Sequence, residues 1–183
     1  MEIRMGHYMI RDLQEGDAPS IAKYANNPKM WINLRDVFPH PYHLTDAKEF
    51  LTQVMQNEPR VVFAIATQDE VIGTIGLTLG TDVHRFTAEL GYWLAEPFWN
   101  KGIMTSAVKK LSDYAFDHFS LYRIYAEPYT TNPASARVLE KAGFNREGIL
   151  RSSAFKDGRV LDQWLYAKVR RGKRGQPLTS VVK

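Results

Sequence analysis

Cysteine is absent from the sequence, which excludes disulfides, thiolate nucleophiles and cysteine-bound metals. A reducing cytoplasm is the compartment expected on that composition, although a chain without cysteine is compatible with any other. No stretch approaches the ~20 consecutive apolar residues of a membrane span, and the first residues lack a signal peptide's apolar run, so no membrane partner is expected. Histidine is scarce: His7, His40, His43, His84 and His118 show no metal-ligand spacing, and no metal is expected. There is no internal repeat and no linker that would divide the chain. Acidic residues are missing from one place in particular. Residues 168–183 carry Lys168, Arg170, Arg171, Lys173, Arg174 and Lys183 with no carboxylate, so residues 1–167 hold 18 basic against 20 acidic side chains, a net −2.

The overall charge of +4 is therefore the property of a tail on a mildly acidic body. We read residues 1–169 as one domain and residues 170–183 as a basic, flexible terminus. Clustered Lys and Arg could touch RNA or a ribosome, but a nucleic-acid partner is not expected of the body. With 183 residues the chain is long enough for one α/β domain with a substantial core.

The apolar periodicity gives an order of elements. Tyr8–Leu13 reads as a strand, and Asp17 caps a helix that ends at Asn27-Pro28. Thr45 caps a second helix, after a long aromatic loop from Met30 to Tyr42. Strands follow at Val61–Ala66, Val71–Leu79 and Phe86–Leu94. In the third, alternation sets Ala88, Leu90, Tyr92 and Leu94 on one face and Glu89, Gly91 and Trp93 on the other. After Gly102 comes a helix with Met104, Ala107, Val108, Leu111, Tyr114 and Ala115 at helical spacing. A strand at Leu121–Glu127, a helix at Pro133–Ala142 and a hairpin turning at Asp157-Gly158 complete the chain.

Two segments carry chemistry. From Glu89 to Ala107 the chain reads as strand, loop with one glycine, and helix start. A helix start offers N–H groups without internal partners and the positive end of the macrodipole, so it attracts phosphate. A glycine before a helix is also what any turn requires, and both readings stay open on the residues alone. The second segment is Asn132-Pro133-Ala134-Ser135-Ala136-Arg137-Val138-Leu139-Glu140-Lys141-Ala142-Gly143-Phe144. Asn132, Pro133 and Gly143 are explained equally well as helix punctuation.

Together these segments resemble the GNAT N-acetyltransferase superfamily. The first looks like its motif A, with Gly102 in place and Trp99 and Met104 departing from the general form. Gly91-Tyr92-Trp93-Leu94 with Trp99-Asn100-Lys101-Gly102, and the Asn-x-x-Ser-x-Arg-Val-Leu-Glu-Lys-x-Gly-Phe string, are similar to the RimJ/RimL branch. The likeness covers about residues 8–168. It implies a single GNAT-like α/β (α+β) domain with a mixed, mostly antiparallel sheet flanked by about four helices. It further implies acetyl-CoA as co-substrate, an amine acceptor, and a monomer or homodimer. Cofactor contacts would come from Trp93, Leu94, Trp99, Asn100, Lys101, Gly102, Ile103, Met104, Thr105, Ser106, Asn132 and Lys141, with pyrophosphate on the backbone of Lys101 to Ser106. The loop with Trp31, Arg35, Phe38 and Tyr42 would wall the acceptor site.

Acetyl transfer needs a base for the amine and a donor for the leaving sulfur. Glu89 is the candidate base, and a solvent-facing strand glutamate is the alternative. Many members of the family use a tyrosine acid seven residues after the asparagine; here that position is Leu139. Ser135 is then the candidate donor to the sulfur, with Asn132 at pantetheine or an active-site water. Branch resemblance suggests a ribosomal-protein or peptide α-amine as acceptor; polyamines, antibiotics and other small amines remain open. Two other classes also stand: a non-catalytic acyl-CoA-binding or regulatory module, and a ribosome-associated protein acting through its basic tail.

Overall fold

The computed structural model describes residues 1–170; the tail expectation falls on residues 171–183, outside them. Arg170, placed in the tail from sequence, is tied to the body. Its N–H donates to Tyr122 O, and its guanidinium reaches Phe116 O at 2.6 Å and Asp117 at 3.1 Å.

Along the chain, β1 (Glu2–Met5) and β2 (Tyr8–Asp12) precede α1 (Ala18–Ala25), α2 (Pro28–Trp31) and α3 (Leu44–Met55). Then come β3 (Val62–Ala66), β4 (Val71–Leu79), β5 (Thr87–Leu94), α4 (Ile103–His118) and β6 (Arg123–Ala126). The last elements are α5 (Pro133–Lys141), β7 (Asn145–Lys156) and β8 (Arg159–Val169). The eight strands form one sheet in the order β1-β2-β3-β4-β5-β6-β8-β7, in which only β5 and β6 run parallel. The expected mixed α/β domain is thus present, with five helices among the described residues where about four were expected.

Apolar side chains fill both faces of the sheet. On one face α4 and α5 press Leu111, Val108, Ala107 and Leu139 against Ala88, Leu90, Leu94 and Ile124. On the other, α1 and α3 bring Ile21, Ala25, Ala47 and Leu51 onto Ala64, Ala66, Val71 and Trp93. The alternation of β5 therefore divides as its sequence predicts, Leu90 and Leu94 to one core and Trp93 to the other.

Several local expectations are corrected. The strand β1 was not foreseen; it pairs with β2 across the Gly6-His7 turn at the sheet edge, where only one of its faces is covered. The four-residue α2 sits inside what reads as loop, with Asn27 Oδ1 accepting from Lys29 N–H. Asp17 stands at the start of α1 but does not cap it. Its buried carboxylate takes both arms of Arg11 at 2.8 Å and the Gln14 N–H at 2.8 Å. The cap of α3 lies at His43, two residues before Thr45, where Asp46 accepts from His43 N–H at 2.6 Å. Asp157 and Gly158 both have positive φ, as a tight two-residue hairpin turn demands. No helix among the described residues is long and apolar enough to cross a membrane.

Candidate active site

The site begins where the parallel pair stops pairing. β5 and β6 are in register at Thr87–Arg123, Ala88–Ile124 and Glu89–Tyr125, and no further. β5 goes on beside β4 as far as Leu94, while the chain leaving β6 turns to β8 instead. Pro128 has no N–H to offer a β5 neighbour. The Pro128 carbonyl accepts from Trp164 N–H at 2.9 Å, and the Glu127 carbonyl accepts from the Gln163 side chain at 2.6 Å. The two strands therefore splay, and Leu90 to Leu94 are left with an edge unpaired toward β6. A cleft of about 1130 Å³ opens there, lined by Leu90–Leu94, Phe98–Thr105 and Ala126–Tyr129 among others.

The start of α4 closes one end of the cleft. The loop before it carries two left-handed residues, Asn100 at φ 61° and Gly102 at φ 73°. The first bond of the helix runs from Ser106 N–H to Gly102 O at 3.0 Å. By helix geometry the N–H groups of Gly102, Ile103, Met104 and Thr105 have no intrahelical acceptor. Ile103 and Met104 border the cleft while both are almost wholly buried in the core. That explains why methionine stands where the family motif has a small residue: its side chain fills the core. Trp99 fastens the loop by donating Nε1–H to Leu94 O at 2.6 Å.

The facing wall is α5. Asn132 caps it, Oδ1 accepting Ser135 N–H at 3.2 Å, with Pro133 in the first helical position. Ser135 lines the cleft, and its Oγ lies 2.8 Å from Tyr92 Oη. Leu139 is fully buried in the core.

The match to known proteins agrees with this geometry. The model of the Acetyltransferase (GNAT) domain family covers residues 7–145. The uncharacterized N-acetyltransferase p20 of Bacillus licheniformis is 30% identical over 166 residues, 88% of this chain and 92% of that protein. Among solved structures, the ribosomal-protein-S5-alanine acetyltransferase of Vibrio fischeri is 26% identical, with a TM-score of 0.80 over 92% of this chain and 96% of that one. RimL, described as a ribosomal L7/L12 alpha-N-protein acetyltransferase in complex with coenzyme A, shares the fold at a TM-score of 0.82 and 20% identity, over 92% and 98% of the two chains.

The chain belongs to the GNAT acetyltransferase family.

It is an acetyl-CoA-dependent N-acetyltransferase, and the chemical demands of that substrate fit the cleft of this GNAT domain. An anionic pyrophosphate suits four unpartnered N–H groups at a helix start. A pantetheine arm, which hydrogen-bonds like a peptide, suits the open edge of β5. Among the described residues there is no cluster of three His, Asp or Glu side chains able to hold a metal.

Of the sequence-predicted residues, Glu89, Trp93, Leu94, Trp99 to Thr105, Asn132, Ser135 and Lys141 line one cleft, together with Arg35 and Phe38. Three others do not. Ser106 gives its N–H to the first turn of α4, so only the N–H groups before it stay open. Tyr42 is buried in the α1–α3 core against Phe38, and burial pushes its hydroxyl up to about 12. Trp31 stacks on His40 and covers Lys156 Nζ at 3.9 Å.

The structure also adds residues that sequence reading missed. Glu127 lies on the cleft just past the last paired residue of β6. Burial, reinforced by the charge of Glu89 and opposed by Arg35, holds its carboxyl above the ordinary value. Glu89 itself is ion-paired with Arg35, whose guanidinium is held charged by that hydrogen bond. Alternation places Tyr92 on the face opposite Glu89, and nothing in the sequence marks it as part of the site. That assignment holds, and its consequence is that Tyr92 meets Ser135. The only sequence signal for Glu127 was its place at the end of a strand.

Proposed function

We propose that this enzyme acetylates a cationic primary amine by its direct attack on the thioester of acetyl-CoA. The observation that carries this reading is the two-sided cleft at the splay of β5 and β6. On the α4–α5 side stand the free N–H groups of Gly102 to Thr105, with Asn132, Ser135 and Lys141 along α5. On the α1–α3 side stand Glu89, Glu127, Arg35 and Phe38. Bound acetyl-CoA would supply an activated acetyl carbon in the gap between the two sides.

Each group then has a distinct part. The backbone from Lys101 to Thr105 holds the pyrophosphate, and the β5 edge at Trp93 and Leu94 aligns pantetheine. Glu89, beside Glu127, draws the acceptor's ammonium proton, directly or through water, so that the nitrogen lone pair is free. Two carboxylates against one guanidinium leave this side net negative, which favours a cationic acceptor. Ser135 hydrogen-bonds the sulfur as negative charge develops on it. A protein N-terminal α-amine is the acceptor to try first, because a structural relative at 26% identity is a ribosomal-protein-S5-alanine acetyltransferase. Polyamines and aminoglycosides are the small-amine alternatives.

The test is free-thiol release from acetyl-CoA with a panel of N-terminal peptides, polyamines and aminoglycosides. Glu89→Gln should lower turnover roughly 10²–10⁴-fold and Ser135→Ala roughly 10²–10³-fold, with unchanged unfolding transitions. Full rates in both variants with a good acceptor would sink the assignment.

A further inference from the structure

The family's usual hydroxyl acid is missing from α5, where Leu139 is sealed in the core. An aromatic hydroxyl nevertheless reaches α5 from the facing strand. Tyr92 is the sixth of the eight residues of β5, beyond the last pair with β6, and faces α5. Its Oη lies 2.8 Å from Ser135 Oγ and 3.4 Å from Ser135 O. Asn132 in turn pins Ser135 by its N–H, so both partners are anchored, one on a strand and one on a capped helix turn.

We propose that Tyr92 is a positioning residue that makes Ser135 a hydrogen-bond donor toward the sulfur of coenzyme A. This rests on the acetyl-transfer reading above. A serine hydroxyl has one proton to give. If Ser135 gave it to Tyr92, none would remain for the sulfur. The opposite sense is favoured because a phenol is the more acidic hydroxyl and therefore the better donor, while the serine oxygen is the better acceptor. With Tyr92 Oη–H directed at Ser135 Oγ, the serine proton is free to point into the cleft. The tyrosine stays neutral throughout: burial pushes its hydroxyl well above the ordinary tyrosine range, against the opposing pull of the Ser135 hydrogen bond.

Electrons and protons balance without tyrosinate or alkoxide. The amine nitrogen, its ammonium proton already passed through Glu89 to water, forms the new bond to the acetyl carbon, the carbon–sulfur bond breaks with its pair on sulfur, and the nitrogen's surplus proton leaves toward Glu89. Ser135 stabilises the departing thiolate by hydrogen bonding alone, and the thiolate takes its proton from solvent afterwards. The α5 N-terminus adds its positive end to the same place.

The test pairs kinetics with a titration that needs no turnover. The thiol of bound coenzyme A is titrated by its thiolate absorbance in the wild type, Tyr92→Phe and Ser135→Ala. A donor at the sulfur lowers that thiol's pKa, so both variants should raise it. Tyr92→Phe should also reduce kcat roughly two- to tenfold, the worth of one hydrogen bond, with KM for acetyl-CoA unchanged. Adding it to Ser135→Ala should cost nothing more. An unmoved thiol pKa in Tyr92→Phe, or losses that multiply in the double variant, would overturn the inference. Should Tyr92→Phe fail to fold, 3-fluorotyrosine at position 92 keeps the shape and strengthens the donor. The bound thiol pKa should then fall below wild type, and no shift would refute the role. Absence of thiol release by the wild-type enzyme with every amine would instead refute the acetyl-transfer reading.

Discussion

Gly102 can be tested by a graded series. Its φ of 73° and ψ of 0° lie in the left-handed region, and nothing stands within 4 Å of where a Cβ would sit. Strain in the backbone is thus the whole cost of a side chain, with no contribution from overlap. For alanine that strain is roughly 1–2 kcal/mol, and asparagine, which visits this region more readily, should lose less. At roughly 2–4 °C per kcal/mol for a domain of this size, Gly102→Ala should melt about 2–8 °C below wild type. Gly91→Ala is the control. Gly91 is a strand residue whose Cβ would also meet no atom, but its φ is not left-handed, so its melting temperature should hold or rise. The same series should order coenzyme A affinity, measured by calorimetry, as glycine, then asparagine, then alanine. The Ile103 to Thr105 N–H groups keep their direction only while the loop keeps this turn. Equal melting temperatures for Gly102→Ala and Gly91→Ala would refute the reasoning.

Two further outcomes follow from the site's geometry. Glu127 is held above its ordinary value, so the folded protein retains a proton that the unfolded chain has already lost. Stability attributable to this group therefore falls as pH rises from the ordinary glutamate value, ~4.3, through the raised one. Glu127→Gln should accordingly melt above wild type at neutral pH and level with it in acid below that value; the same offset at both pH values would mean packing and not charge is responsible. Trp99→Phe removes the indole bond to Leu94 O and should cost about 1 kcal/mol, with weaker coenzyme A binding. Unchanged affinity would show that the loop holds its shape without that tie.

How far each feature was legible depends on how local its cause is. The α4 start was readable because a glycine before an apolar-periodic run is a short-range signal, and Asn132-Pro133 marks α5 for the same reason. The faces of β5 followed from alternation, which placed Glu89 with Trp93 and Tyr92 with Leu90 and Leu94. Thr45 reads as a cap because its hydroxyl fits the role; His43 precedes the helix instead, since the carboxylate of Asp46 folds back onto its N–H. Met104 departs from the family pattern, and only its burial explains why the departure is tolerated.

The sequence by itself determined the elements other than β1 and α2, their apolar faces and the two segments that mark the family, because each depends on residues within a few positions of one another. The tertiary structure alone decided where β5 and β6 part, since that turns on β8 taking the carbonyls of Glu127 and Pro128. It likewise brought Arg35 to Glu89 across 54 positions and Ser135 to Tyr92 across 43. Periodicity says which face a side chain takes. Which element waits opposite that face is set by sheet register and helix packing, whose hydrogen bonds and contacts join parts of the chain with no local signal in common.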